Sequence, residues 1–177
     1  MKIQIIENKK LTKKQKEMIN NARDKEWGEP ERKDFSKDYE KDAKWFFVKK
    51  DEKILALGNL RPIQINYLNK RYSILGICSI LSIEKGKGYG TMLINEMLKY
   101  LRKKNKTGLG FTTQTEFFKK AGLETKKDFI KRFVYVKPNG EKVYDDEGDG
   151  IYYEGKDKFI SKVLKTKSPV YIDILHW

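Results

Sequence analysis

Residues 80–93 read ILSIEKGKGYGTML, and this stretch decides the fold. It opens apolar and strand-like, then places Gly86, Gly88 and Gly90 at every second position before a helix-like pattern begins. Three glycines so close together cost backbone entropy, so they are expected where the backbone must stay bare. A strand that ends in a glycine-rich turn and opens a helix sets unpaired N–H groups at a positive helix end. With no Cβ atoms in the way, those groups can approach an anion closely, and a diphosphate is the best-matched ligand. A plain strand-to-helix turn is the alternative, but such a turn rarely needs three glycines.

On the C-terminal side, Ile94, Met97, Leu98 and Leu101 recur at i, i+3, i+4 and i+7. They predict an amphipathic helix, with Arg102, Lys103 and Lys104 in the last turn where cations suit the dipole. TGLGF (107–111) reads as a short strand, and TEFFKKAGL (115–123) as a short helix closed by Gly122. IKRFVYV is a strand, KPNGE a turn, GIYYEG a strand and PVYIDILHW a final strand to the end. On the N-terminal side, Lys2 to Ile6 alternates like a strand, and Thr12 with Gln15 fits a capping box ahead of Met18, Ile19 and Ala22. Residues 24–44 are charged, and a short second helix is expected near Ser36 to Ala43. KWFFVKK and KILALGNL form two strands around a tight turn, and Pro62 suggests an edge or bulge in the longer second strand. QINYLNKRYSI predicts a further hairpin turning near Asn69, whose return strand, Ser73 to Ile83, delivers the chain to the glycines. Strands precede the central helix as an antiparallel meander, so the fold class is α+β with a mostly antiparallel sheet.

The 177 residues suit one domain, 1–177, with a real core. Hydrophobic residues at 38% and aromatics at 12% exclude a disordered chain. The net charge is +14, carried mostly by lysine. It reads either as attraction to an anionic cofactor or nucleic acid, or as lysines scattered over a solvated surface, as in KKLTKKQKE. Cys78 is the one cysteine, which excludes an intrachain disulfide and fits a reducing cytoplasm. With His176 the one histidine, a zinc site of several Cys and His ligands is excluded, so no metal site is expected. The apolar run at the N-terminus is too short for a signal peptide, and no segment approaches membrane-spanning length.

The glycines fit neither the P-loop, which needs GxxxxGK before Ser or Thr, nor GxGxxG at the start of a β-α-β unit, since Thr91 follows Gly90. They do fit Arg/Gln-x-x-Gly-x-Gly/Ala, with Lys85 in the first place, then Gly88 and Gly90. Here the chain resembles the GNAT family of acetyl-CoA-dependent N-acetyltransferases, in motif and in element order, and EFFKKAGL resembles that family's second signature. The resemblance implies a GNAT-like sheet with helices on both faces. It implies that backbone groups of Leu81 and Ile83 pair with the pantetheine arm like an added strand. Amides of Lys85, Gly86, Lys87, Gly88, Tyr89, Gly90 and Thr91 would hold the pyrophosphate, and Gly108 to Phe111 would splay from Ser79 to Ile83. The Leu81 or Ser82 amide would face the thioester oxygen. The family's usual carboxylate and tyrosine fall at Ser79 and at Phe118 beside the cofactor, which leaves the base and acid open; Tyr153 is the tyrosine to test as a replacement acid. Cys78 reads better as a small buried residue than as a nucleophile.

VYVKPNGEKVYDDEGDGIYYEG, followed by a strand ending in Trp177, is similar to the C-terminal part of aminoglycoside 2'-N-acetyltransferases. That likeness implies acidic contacts to a cationic acceptor at Asp149 and the Trp177 carboxylate, with Asp34 or Asp38 as further acids. The leading expectation is transfer of acetyl from acetyl-CoA to a primary amine on a small molecule or peptide. The alternatives are a CoA-binding protein without turnover, and a basic nucleic-acid module using Lys85, Lys87 and Lys103, for which no recognised motif is present. Members of the family often form dimers.

Overall fold

The computed structural model describes residues 1–28 and 32–173. Strand β1 (Lys2–Glu7) leads to helix α1 (Lys13–Trp27) and then to β2 (Lys44–Lys50), β3 (Lys53–Tyr67) and β4 (Lys70–Ser82). Helix α2 (Tyr89–Lys104), β5 (Gly108–Thr112), α3 (Thr115–Lys120) and β6 (Glu124–Lys126) follow. The chain continues through β7 (Phe133–Val136), β8 (Lys142–Tyr144), β9 (Asp149–Tyr153), α4 (Phe159–Leu164) and β10 (Val170–Ile172). Among the described residues these strands form a seven-stranded sheet, β1-β2-β3-β4-β5-β9-β6, and a three-stranded sheet, β10-β7-β8. In the larger sheet only the β4–β5 pair is parallel. The α+β class with a mostly antiparallel sheet is therefore observed.

Local sequence explains the first elements. The Thr12 hydroxyl accepts from the Gln15 N–H at 3.2 Å, and the Gln15 side chain accepts from the Thr12 N–H at 2.9 Å, closing the capping box. Thr12→Ala should therefore cost about 1 kcal/mol of stability, read as a fall in urea midpoint with an unchanged slope. The β3–β4 hairpin turns through Leu68 and Asn69, both at positive φ, the two-residue geometry whose twist matches the strands. Pro62 sits where β3 has lost β2, whose pairing ends at Leu60, so its missing N–H leaves no hole in the ladder on that side. At the end of α3, Gly122 (φ +95) lets its own N–H reach Lys119 O and the Leu123 N–H reach Phe118 O, a Schellman closure.

Helices cover both faces. Leu93, Ile94, Met97, Leu98 and Leu101 of α2 pack with Phe118 of α3 against Phe46, Val48 and Leu60. On the other face Ile19 of α1 packs on Trp45, Phe47, Leu57 and Leu81. Farther along that face, α4 and the small sheet cover Ile63, Ile65, Tyr72 and Ile74 around Phe159.

Three expectations need correction. KILALGNL and QINY are one uninterrupted strand, because Pro62 is tolerated at a locally open edge. The helix expected near Ser36 to Ala43 is only a 3-10 turn, Asp38–Glu40. Asp34 instead accepts from the Ser36 N–H and hydroxyl, and Glu40 turns inward to Arg61, so local side-chain bonds win over helix propagation. PVYIDILHW contributes Val170–Ile172 as a strand, and residues 174–177 lie outside the described set. Among the described residues, no helix is long and apolar enough to cross a membrane.

Candidate active site

The three glycines serve two different purposes. Gly86 (φ +75) and Gly88 (φ +77) are left-handed, and a Cβ on either would meet nothing within 4 Å. They are bare because of backbone handedness, in open space. Gly90 is different: its Cβ would stand 2.9 Å from Cζ of Phe117. The third glycine lets an aromatic ring of α3 lie against the first turn of α2. That helix starts at Tyr89 with Gly88 as N-cap; no side chain caps it and no acid sits in its first turn. Its leading N–H groups and positive dipole end are thereby left for an anion.

These groups open onto a cleft of about 640 Å³. Strands β4 and β5 pair only through Leu75↔Gly108 and Gly76↔Leu109, then part, and the cleft lies where they diverge. Leu81 and Ser82 of β4, Lys85, Gly86 and Gly88 of the loop, Gly90 and Thr91 of α2, and Phe118 of α3 all line it. Phe111, Thr112 and Thr113 form the opposite wall, and Glu26 and Trp27 of α1 close one side. The Lys85 ammonium meets the Glu26 carboxylate at 2.9 Å across this edge.

Ile83, Lys87 and Tyr89 do not line the cleft. Ile83 is exposed and gives its N–H to Leu55 O at 2.9 Å. Main-chain groups alternate sides along an antiparallel strand, so the groups of Leu81 and Ile83 face β3 and those of Ser82 face the cleft. The main-chain groups open to the cleft are thus those of Ser82, not those of Leu81 and Ile83 from which strand pairing was expected.

A bulge in β4 sets the inner end of the site. The register steps from Leu57↔Leu81 to Asn59↔Cys78, so Ser79 and Ile80 stand against Gly58 alone. A Cβ on Gly58 would lie 2.5 Å from Ile80 Cδ1, which explains that glycine. Ser79 takes φ +54, and its hydroxyl accepts from the Arg23 guanidinium at 2.7 Å. Arg23 also stacks 4.9 Å above the Trp27 ring. At the position where a carboxylate was expected, the side chain is thus a hydroxyl held by a cation.

Next to the bulge, the α1 face of the sheet carries polar residues in phase with its core. Asn59 and Arg61 fall between Leu57 and Ile63 on β3 and are buried. Arg61 donates to Glu40 at 2.8 Å, and Lys33 bonds the same carboxylate oxygen. Burial pushes the Lys33 ammonium below its ordinary value, opposed by the neighbouring Glu40 charge. The Asn59 amide has no hydrogen-bond partner for either polar atom, nor has Glu40 Oε2. Sequence reasoning passed over Arg23, Glu26, Trp27, Glu40, Asn59 and Arg61. Asn59 and Arg61 did carry a signal: two polar residues in the buried phase of an apolar strand.

Burial pushes the Cys78 thiol upward from its usual range. Cys78 should therefore resist a disulfide-exchange reagent at pH 8 in the folded protein and react on denaturation. Rapid native labelling would contradict that burial.

The remaining candidates are dispersed. Tyr153 pairs with Gly108, where β4 and β5 are still joined, and lies under Arg102 against the α2 core. That position is at the closed end of the strands, so Tyr153 does not line the cleft. Asp38 is exposed at the start of the 3-10 turn, and Asp34 is exposed beside Ser36. Asp149 pairs with Thr112 near the open end, but its carboxylate accepts from the Asp128 N–H at 2.8 Å. Trp177 lies outside the described residues.

Comparison with curated proteins gives no match. The fold is similar to that of an acyl-CoA N-acyltransferase from Pseudomonas aeruginosa, at 13% identity over 86% of this chain and 99% of that one, TM-score 0.58. It is similar to Tetrahymena GCN5 at 17% identity over 86% and 94%, TM-score 0.55. A probable N-acyltransferase from Enterococcus faecalis V583 matches at 18% identity and TM-score 0.56, over 73% of this chain but only 33% of that longer one. At such identities these likenesses carry the fold alone. The model of the Acetyltransferase (GNAT) family matches residues 12–122, which hold α1, the hairpins, the glycine loop, α2, β5 and α3. With that match over most of its length, the chain belongs to the GNAT family of acetyl-CoA-dependent N-acetyltransferases.

Proposed function

We propose that the chain transfers acetyl from acetyl-CoA directly to a primary amine, with the cofactor in the cleft between β4 and β5. The observation that carries this reading is the uncapped start of α2 opening onto that cleft. The residues fit the group: left-handed Gly86 and Gly88 leave open space, no acid of the first turn of α2 opposes a diphosphate, and the strands part beside Ser82. Acetyl-CoA, when bound, supplies an activated acetyl thioester.

The chain's own residues then have distinct tasks. Amides of Lys85, Gly86, Gly88, Gly90 and Thr91 hold the diphosphate, with Lys85 leaving Glu26 to add its charge. The main chain of Ser82 pairs with the arm, while Leu81, Phe117 and Phe118 exclude water. Ser79 and Phe118 supply neither a strong base nor an acid, so positioning carries much of the rate. The amine nitrogen gains the acetyl group, and CoA is released as a thiol with the proton that the amine gives up.

A cationic acceptor such as an aminoglycoside is a second reading. It is favoured by the exposed Asp146 and Glu147, which precede β9 on the side where Thr112 borders the cleft. The test is thermal stabilisation by acetyl-CoA followed by thiol release with a panel of amines that includes aminoglycosides, polyamines and peptides. Stabilisation with release supports transfer. Stabilisation without release across the panel makes the chain a CoA binder, and the absence of both stabilisation and release overturns the reading.

A further inference from the structure

A left-handed serine interrupts β4. Ser79 is the first of two residues, with Ile80, that stand against Gly58 alone, and its φ is +54. Glycine is the usual occupant of such a bulge position, because a Cβ disfavours that conformation. Here the side chain has a partner instead: the Ser79 hydroxyl accepts from the Arg23 guanidinium at 2.7 Å. An ionised donor makes this one of the stronger kinds of hydrogen bond. The guanidinium is itself seated 4.9 Å from the ring of Trp27, one turn farther along α1, and Trp27 lines the cleft. A single side chain of α1 thus ties the bulge of β4 to a wall of the cleft.

The bulge decides which way β4 presents its main chain. On one side of it the register is Ala56↔Ser82 and Leu57↔Leu81, and on the other it is Asn59↔Cys78. Main-chain groups alternate sides along a strand. Removing the extra residue would therefore slip one side by one position and exchange the groups that face β3 with those that face the cleft. The main chain of Ser82 is open to the cleft in the bulged register. We infer that Arg23 is a positioning residue for the cofactor: by holding Ser79 left-handed it fixes the bulge, and the bulge aims the main chain of Ser82 at the pantetheine arm. Arg23 needs no contact with the cofactor to do this. The inference rests on the acetyl-CoA reading of the cleft and adds the residue that sets its strand wall.

Amide shifts of the ¹⁵N-labelled protein, followed as acetyl-CoA is added, test it. In Arg23→Met the amides of Gly86, Gly88 and Thr91 should still respond at saturation, which verifies fold and binding, while the Ser82 response is lost. Affinity should fall about tenfold as the main-chain bonds of Ser82 go. Arg23→Lys, which keeps a cationic donor, should retain part of the response. Ser79→Gly supplies a residue that takes the left-handed conformation unaided. Added to Arg23→Met, it should restore the Ser82 response and part of the affinity, which a merely structural role for Arg23 would not allow. A Ser82 response that survives Arg23→Met, or one that Ser79→Gly fails to restore, would overturn the positioning role and leave the cofactor site intact. No response from the glycine loop of the unaltered protein would overturn both.

Discussion

Gly88→Phe is expected to abolish acetyl-CoA binding while leaving the fold in place. A Cβ at Gly88 meets nothing within 4 Å, so the protein has room for the side chain, and that room is the cleft itself. The cost to the fold is the left-handed backbone at φ +77, about 1–2 kcal/mol for an L-residue. The cost to binding is larger. The ring stands over the N–H groups that open α2, and losing two charge-assisted bonds of about 1.5–3 kcal/mol each weakens binding by roughly a hundredfold or more. Titration calorimetry checks the affinity, and circular dichroism checks that the helix and sheet persist. Gly90→Phe serves as the contrast: its Cβ collides with Phe117 inside the protein, so it should lose stability as well as binding. Retained affinity in Gly88→Phe would remove the diphosphate from this loop.

Arg61→Met is expected to cost about 3–5 kcal/mol of stability, because it strands the buried Glu40 carboxylate without its guanidinium. Both residues are buried, and the Lys33 bond to the same oxygen cannot replace the second partner. At about 2–4 °C per kcal/mol for a chain of this size, the melting temperature should fall by roughly 6–20 °C. Adding Glu40→Gln to Arg61→Met should recover part of the loss, since the stranded charge is then removed. A loss below about 1 kcal/mol in the single variant would show that Glu40 is not desolvated as the fold implies.

What was legible in the sequence was local. The Thr12 capping box, the 3.6-residue period of α2 and the glycine loop each depend on residues a few positions apart. The elements that escaped, β6, β8 and α4, are three to six residues long and exist through what they pack against. In α4, Phe159, Ile160 and Val163 are buried only because β3, β4 and β7 bring their own apolar residues to the same place. The site followed the same rule. The anion end was readable, whereas the Ser79 bulge shifted which main-chain groups face the cleft, a shift set by strand pairing across the hairpin. Gly58 inside a strand was the one local hint of that bulge. Tyr153 had the right chemistry and the wrong end of β9.

The central claim is that main-chain N–H groups between β4 and α2 hold the diphosphate of acetyl-CoA. Amide chemical shifts of the ¹⁵N-labelled protein, followed as CoA is added, test it most directly. The largest shifts should fall on Gly86, Gly88, Tyr89, Gly90 and Thr91, with Ser82 moving as the arm pairs. Shifts confined to surface lysines, or an α2 N-terminus that stays still at saturation, would contradict it.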